Sequence, residues 1–190
     1  MLYENPVARP AAEPSGAVAT VAGALALSGA AANLFGALRL GIDFLDDPGR
    51  FDNSLAAITF LSGLLLAGVL TYGAVLLFRR DESGRYIVIV AAGVWAAIAA
   101  AGLLGALLGY QSDYGFHWFA ESSRLADTLF ATSGIVGAVT ALIDGDWVSN
   151  LAGLIIPLFT VLAATSRYTA RWIAAPRPPR YPISARYSDH

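Results

Sequence analysis

The chain contains no cysteine and no lysine, only two histidines and one methionine, and just 14% of its 190 residues are charged. The missing cysteine removes disulfides, thiolate metal sites and cysteine nucleophiles together. One of the histidines, His190, is the last residue of the chain, so His117 is the sole histidine in the region predicted to fold. A single imidazole disfavours two-histidine haem ligation and the usual zinc sites. There is also no GxSxG, no Walker loop and no HExxH motif. No cofactor is therefore expected, nothing points to nucleic acid as a partner, and a non-enzymatic role is the reading that the composition favours.

What the chain does have is apolar surface. Its residues are 56% hydrophobic and its mean hydropathy is +0.58, whereas an ordinary soluble domain is about half apolar and about one quarter charged. Such a chain takes the lipid bilayer as its solvent and primary partner. The expected fold is an all-α integral membrane protein, a bundle of four transmembrane helices.

Residues 1–16, MLYENPVARPAAEPSG, hold three prolines and no apolar periodicity, and read as a disordered cytoplasmic tail. The apolar run that follows begins near Ala17 and lacks the basic start and cleavage pattern of a signal peptide. At 1.5 Å per residue, about 20 residues cross a hydrocarbon core of about 30 Å. By that measure the bundle of residues 17–166 has spans at about 17–40, 54–78, 86–109 and 148–166. Between the last two lies an outer segment, 110–147. Residues 167–190 form an Arg/Pro-rich cytoplasmic tail.

Arginine sets the expected orientation, because basic residues in short loops stay on the cytoplasmic side. With both termini and residues 79–85 inside, that side collects Arg9, Arg79, Arg80, Arg85, Arg167, Arg171, Arg177, Arg180 and Arg186. The other side keeps Arg50 and Arg124, with Arg39 at its border, and most of the acids: Asp43, Asp46, Asp47, Asp52, Asp113, Glu121, Asp127, Asp144 and Asp146. This places the protein in the cell membrane as a multi-pass chain with cytoplasmic termini. Residues 128–143 are apolar but short for a span, and a fifth crossing would deliver the arginine-rich C-terminus outside. They are expected to form a re-entrant or interfacial helical segment on the extracytoplasmic side; five transmembrane helices is the alternative.

Several residues stand out. Gly93, Ala97, Ala101, Gly105 and Gly109 recur every four residues and form a small face suited to close helix packing, within the chain, in a homo-oligomer or against another membrane protein. Asn33 and Arg39 interrupt the first span; an intramembrane polar group is a candidate for a substrate path, although Arg39 is near enough to the end to snorkel. Pro157 interrupts the last span and predicts a kink or hinge. The outer carboxylates could hold Ca²⁺ or act as acid and base, but DDPGRFD and DGD lack the spacing of an EF-hand loop. His117 with Asp113 or Glu121 is a candidate general base, and Asp127 stands with Asp113 and Glu121 among the carboxylates that an outer-face enzyme would use. Its neighbours Tyr110, Tyr114, Phe116, Trp118 and Phe119 fit an interfacial aromatic belt. The tail's PRPPRYP could dock a cytoplasmic partner as polyproline II, or its arginines could bind anionic lipid.

Three function classes follow. The first is a packing or accessory component of a membrane assembly. A small transporter or channel with a path near Asn33, Tyr72 and Pro157 is the second, and a membrane enzyme using outer carboxylates is the third.

Overall fold

A computed structural model describes residues 16–50, 53–110 and 123–175. Its elements are α1 (Ala17–Asp46), a single 3₁₀ turn (Pro48–Arg50), α2 (Asn53–Phe78), α3 (Glu82–Leu107), α4 (Arg124–Ala131), α5 (Gly134–Asp144), α6 (Trp147–Thr165) and α7 (Arg167–Ala174). There is no strand among the described residues. Four helices, α1, α2, α3 and α6, are long and apolar enough to cross a membrane, and the protein is an all-α membrane bundle. The expected N-terminal tail, Asp52, Asp113, His117, Glu121, most of the aromatic belt and the proline-rich end of the C-terminal tail lie outside the described residues.

Glycine and alanine on α1 set the spacing of the bundle. Its buried residues are Ala19, Ala22, Gly23, Ala26, Gly29, Ala30, Asn33, Gly36, Ala37 and Leu40, a stripe at three- and four-residue intervals. Small residues at such positions let helices approach closely where lipid removes the hydrophobic drive between them. Glycines of α1 serve as sockets for aromatic rings, two within the stripe and Gly41 just beyond it. Phe78 fills the space over Gly23, and a Cβ at Gly29 or Gly41 would lie 3.0 Å from the ring of Trp95 or Phe60 respectively. Trp95 is 1% exposed and is the largest fully buried side chain of the core.

The helix ends follow local rules. Asp81 caps α3 by accepting from the Ser83 N–H at 2.9 Å. The far end of α3 closes on Gly109 at φ +76°, with the Tyr110 N–H bonded to the Gly105 carbonyl and the Gly109 N–H to that of Ala106. This is the double turn for which a left-handed glycine is preferred. Gly109 therefore terminates α3 and does not continue its small face.

Two boundaries differ from the hydropathy reading. α1 runs on to Asp46, past Leu40, because Arg39 and Asp43 pair at 2.8 Å one turn apart and carry the helix through its polar end. α3 starts at Glu82 instead of Tyr86, since the Asp81 cap lies upstream of the apolar run.

Candidate functional site

The segment 124–144 is a broken helix folded into a hairpin. α4 ends at Ala131; the Thr132 hydroxyl donates back to the Leu129 carbonyl at 2.7 Å and the Ser133 N–H to that of Phe130 at 2.8 Å. Gly134 then takes φ +79°, and α5 runs back the other way. The reversal brings the backbones of α4 and α5 together: a Cβ on Gly137 would collide with the Phe130 carbonyl, and one on Gly153 of α6 would lie 2.8 Å from that of Ala131. α5 ends on Gly145 at φ +65°, and Asp146 at once caps α6. Arg124, at the start of α4, is close enough to Asp146 to act on its charge, so the hairpin begins and finishes at the same end of the bundle.

A helix ending inside a bundle leaves backbone groups that water cannot reach, and each requires a partner from the protein. Ser133, the residue before α5, makes no side-chain cap. Asn33 of α1, midway along that helix and 0% exposed, supplies it instead. Its Oδ1 accepts from the Ile135 N–H at 2.9 Å, while its Nδ2 donates to the Gly29 carbonyl at 2.8 Å. The joint is tight. A Cβ at Gly36 would run into the Ser133 carbonyl and one at Gly134 into the Asn33 side chain, while Gly63 brings α2 against Asn33 and Val136.

The other end of α5 is held the same way. Asn150 of α6, also 0% exposed, donates through Nδ2 to the Ala141 carbonyl at 2.8 Å and to the Asp146 carbonyl at 2.9 Å. Gly102 of α3 gives its amide oxygen room, because any Cβ there would strike it. Thus two buried asparagines from different helices hold one N–H in the first turn and one carbonyl in the last turn of one short helix.

At the outer rim of this unit, Asp146 accepts from the Ser149 hydroxyl at 2.6 Å and from the Val148 and Ser149 N–H groups, both at 3.2 Å. Partial burial pushes its carboxyl up, but those bonds and the Arg124 charge outweigh it and hold the group below its usual value. A depressed folded-state value stabilises the fold above the unfolded value of about 4, and the contribution disappears as pH falls through the folded one. Asp146→Ala is expected to cost about 1 kcal/mol at neutral pH as a lost cap. Unfolding curves for the variant and the parent should converge as the pH drops below about 4; a gap independent of pH would disprove the role of the charge.

The remaining sequence candidates are dispersed. Arg39 is a half-exposed ion-pair partner of Asp43, and Asp127 is exposed in the first turn of α4. Tyr72 is 61% exposed on the outward face of α2, whereas Pro157 is buried inside α6. Among the described residues no three acids or histidines converge as metal ligands. Two shallow apolar grooves lie on the outside; the first, of about 470 Å³, runs between the Leu38–Leu45 stretch of α1 and Ala56, Ala57 and Phe60 of α2. Asn150, Ser133 and Gly134 are not among the residues that stand out in the sequence. The Ser-Gly pair is a turn signal that marks the break, but the partners of both asparagines are set by tertiary contacts alone. Comparison with protein-family models, with curated proteins and with solved structures gives no match to this chain.

Proposed function

We propose that this chain is a non-enzymatic, multi-pass component of a membrane assembly, joining a second copy or another membrane protein through the outer face of α3. One observation carries the reading. The core side of α3 is Val88, Ala91, Ala92, Trp95, Ala99 and Gly102, and the small-residue row is on the other side. Ala97 and Ala101 are exposed, and nothing lies within 4 Å of a Cβ built on Gly93. Close backbone approach by another helix is what such a row permits. The arginine distribution supports a cell-membrane location with cytoplasmic termini, which puts the α4–α5 hairpin on the extracytoplasmic side.

The test is association in nanodiscs or mild detergent, followed by light scattering. The parent chain is expected as an oligomer or co-purifying complex, and Ala97→Leu with Ala101→Leu should weaken association by about tenfold or more, since bulk on a small-residue face blocks close approach. A parent chain that stays a lone monomer at every concentration would defeat the reading.

A second reading, a small-solute or ion transporter, draws support from the α4–α5 hairpin, because helices broken inside a bundle recur at transport sites. Single cysteines at Ser133 and Thr132 in this cysteine-free chain would report it. Rapid labelling by a membrane-impermeant thiol reagent would favour a water-filled path, and complete protection would remove it.

A further inference from the structure

The end of the bundle opposite Arg124 and Asp146 is built around an arginine in an unfavourable backbone position. α2 closes with the Arg80 N–H on the Leu77 carbonyl at 2.9 Å and the Asp81 N–H on that of Leu76 at 3.0 Å. In this motif the residue at Arg80 must be left-handed, which glycine adopts freely and other L-residues resist. Arg80 has φ +57° and is the one non-glycine residue with positive φ among those described. An arginine in this position makes a side-chain contact that glycine could not.

That side chain reaches α7. The Arg80 guanidinium carbon sits 4.6 Å from the centre of the Trp172 ring, and Trp172 in turn fills the space over Gly16 at the start of α1. α7 leaves α6 at a sharp bend, where Ser166 accepts from the Thr169 N–H and the Thr169 hydroxyl donates to the Ala163 carbonyl at 2.8 Å. Thr169 is buried and Trp172 and Ile173 are half-buried, so this side faces the bundle; Arg167 and Arg171, one turn apart, face outward. Among the described residues the Arg80 guanidinium makes no hydrogen bond or ion pair besides this ring contact. Among the described residues Arg80, Arg167 and Arg171 have no carboxylate partner. The nearby acids are engaged elsewhere: Asp81 caps α3, and Glu82 takes the Tyr86 hydroxyl at 3.4 Å. Arg85 is committed too, donating to the Ala164 carbonyl at 3.0 Å at the end of α6.

We propose that the α7 end of the bundle binds anionic phospholipid, with Arg80 beside Trp172 and Arg167 and Arg171 on the outward face of α7 each offering a guanidinium to headgroup phosphates. The guanidinium fork matches phosphate oxygens in shape and charge. An amphipathic helix carrying tryptophan and arginine at the end of membrane-length helices lies at the depth of the lipid headgroups. Three cations without carboxylate partners among the described residues favour a headgroup with net negative charge over a zwitterionic one.

The experiment uses the full chain in detergent with equal amounts of phosphatidylglycerol and phosphatidylcholine, and native mass spectrometry to count retained lipids. Preference for phosphatidylglycerol is expected, falling about fivefold for each of Arg80→Gly and Arg171→Gln, as one surface arginine is worth about that factor. Arg80→Gly also separates binding from folding: glycine relieves the left-handed strain, so its unfolding temperature in phosphatidylcholine should not fall. Equal retention of both lipids by the parent chain would overturn the proposal, as would an unchanged preference in both variants. Displacement of the phosphatidylglycerol by inorganic phosphate at equal concentration would overturn it in favour of a soluble anion.

Discussion

Replacing Asn33 with alanine is expected to destabilise the bundle by about 2–4 kcal/mol. The sum has two parts: about 1–3 kcal/mol for leaving a buried N–H without an acceptor, and a further contribution from the space vacated in a packed interior. The donor left without its partner is the Ile135 N–H, whose bond to Oδ1 is 2.9 Å long. Water cannot replace that acceptor, because Gly36 and Gly63 close the surroundings. Thermal or denaturant unfolding in detergent would give the total. Hydrogen exchange would give the location: the Ile135 and Val136 amides should lose protection well before those of α2 and α3. Unchanged stability together with unchanged exchange at Ile135 would show that Asn33 is dispensable to the hairpin.

Gly134→Ala should be at least as costly, at about 2–5 kcal/mol, for a different reason. The residue holds φ +79°, and a left-handed conformation costs an L-residue about 1–2 kcal/mol. Its new methyl group would also collide with the Asn33 side chain, and overpacking of this kind adds about 1–3 kcal/mol. Gly68→Ala is the control. It sits within a long helix with nothing within 4 Å of the added carbon, so helix propensity should make it neutral or stabilising by up to about 1 kcal/mol. If the two substitutions behave alike, the left-handed break at Gly134 is not a constraint on the fold.

These two variants mark where the sequence was readable. α2 and α3 are continuous apolar runs on either side of Arg79, Arg80 and Asp81, and hydropathy places them apart from the first turn of α3, which the Asp81 cap adds. The short length of 128–143 and the arginine asymmetry were enough to keep it from being read as a span, and it is the broken hairpin of α4 and α5 that occupies this stretch. Asn33 is visible in the sequence as a polar group in an apolar helix, and reads as a candidate path because the sequence offers it no partner. Asn150 is less conspicuous: it lies one turn into α6, where a polar residue looks like part of the entrance. The small face of α3 was visible as a four-residue period, yet periodicity does not say whether a face turns inward or outward. It turns outward, and Gly109 leaves it to end the helix.

Membrane residence, helix number and the uneven distribution of charge are thus properties of composition and order along the chain. Each depends on the transfer of a run of side chains, or on a sum of charges, and neither needs a neighbour distant in sequence. The break at Ser133–Gly134, the caps from Asn33 and Asn150 and the stacking of Arg80 on Trp172 are properties of the assembled bundle. They arise because backbone groups inside the bundle must find partners within the protein, and those partners lie on helices far away in sequence, at places where glycine lets them come close.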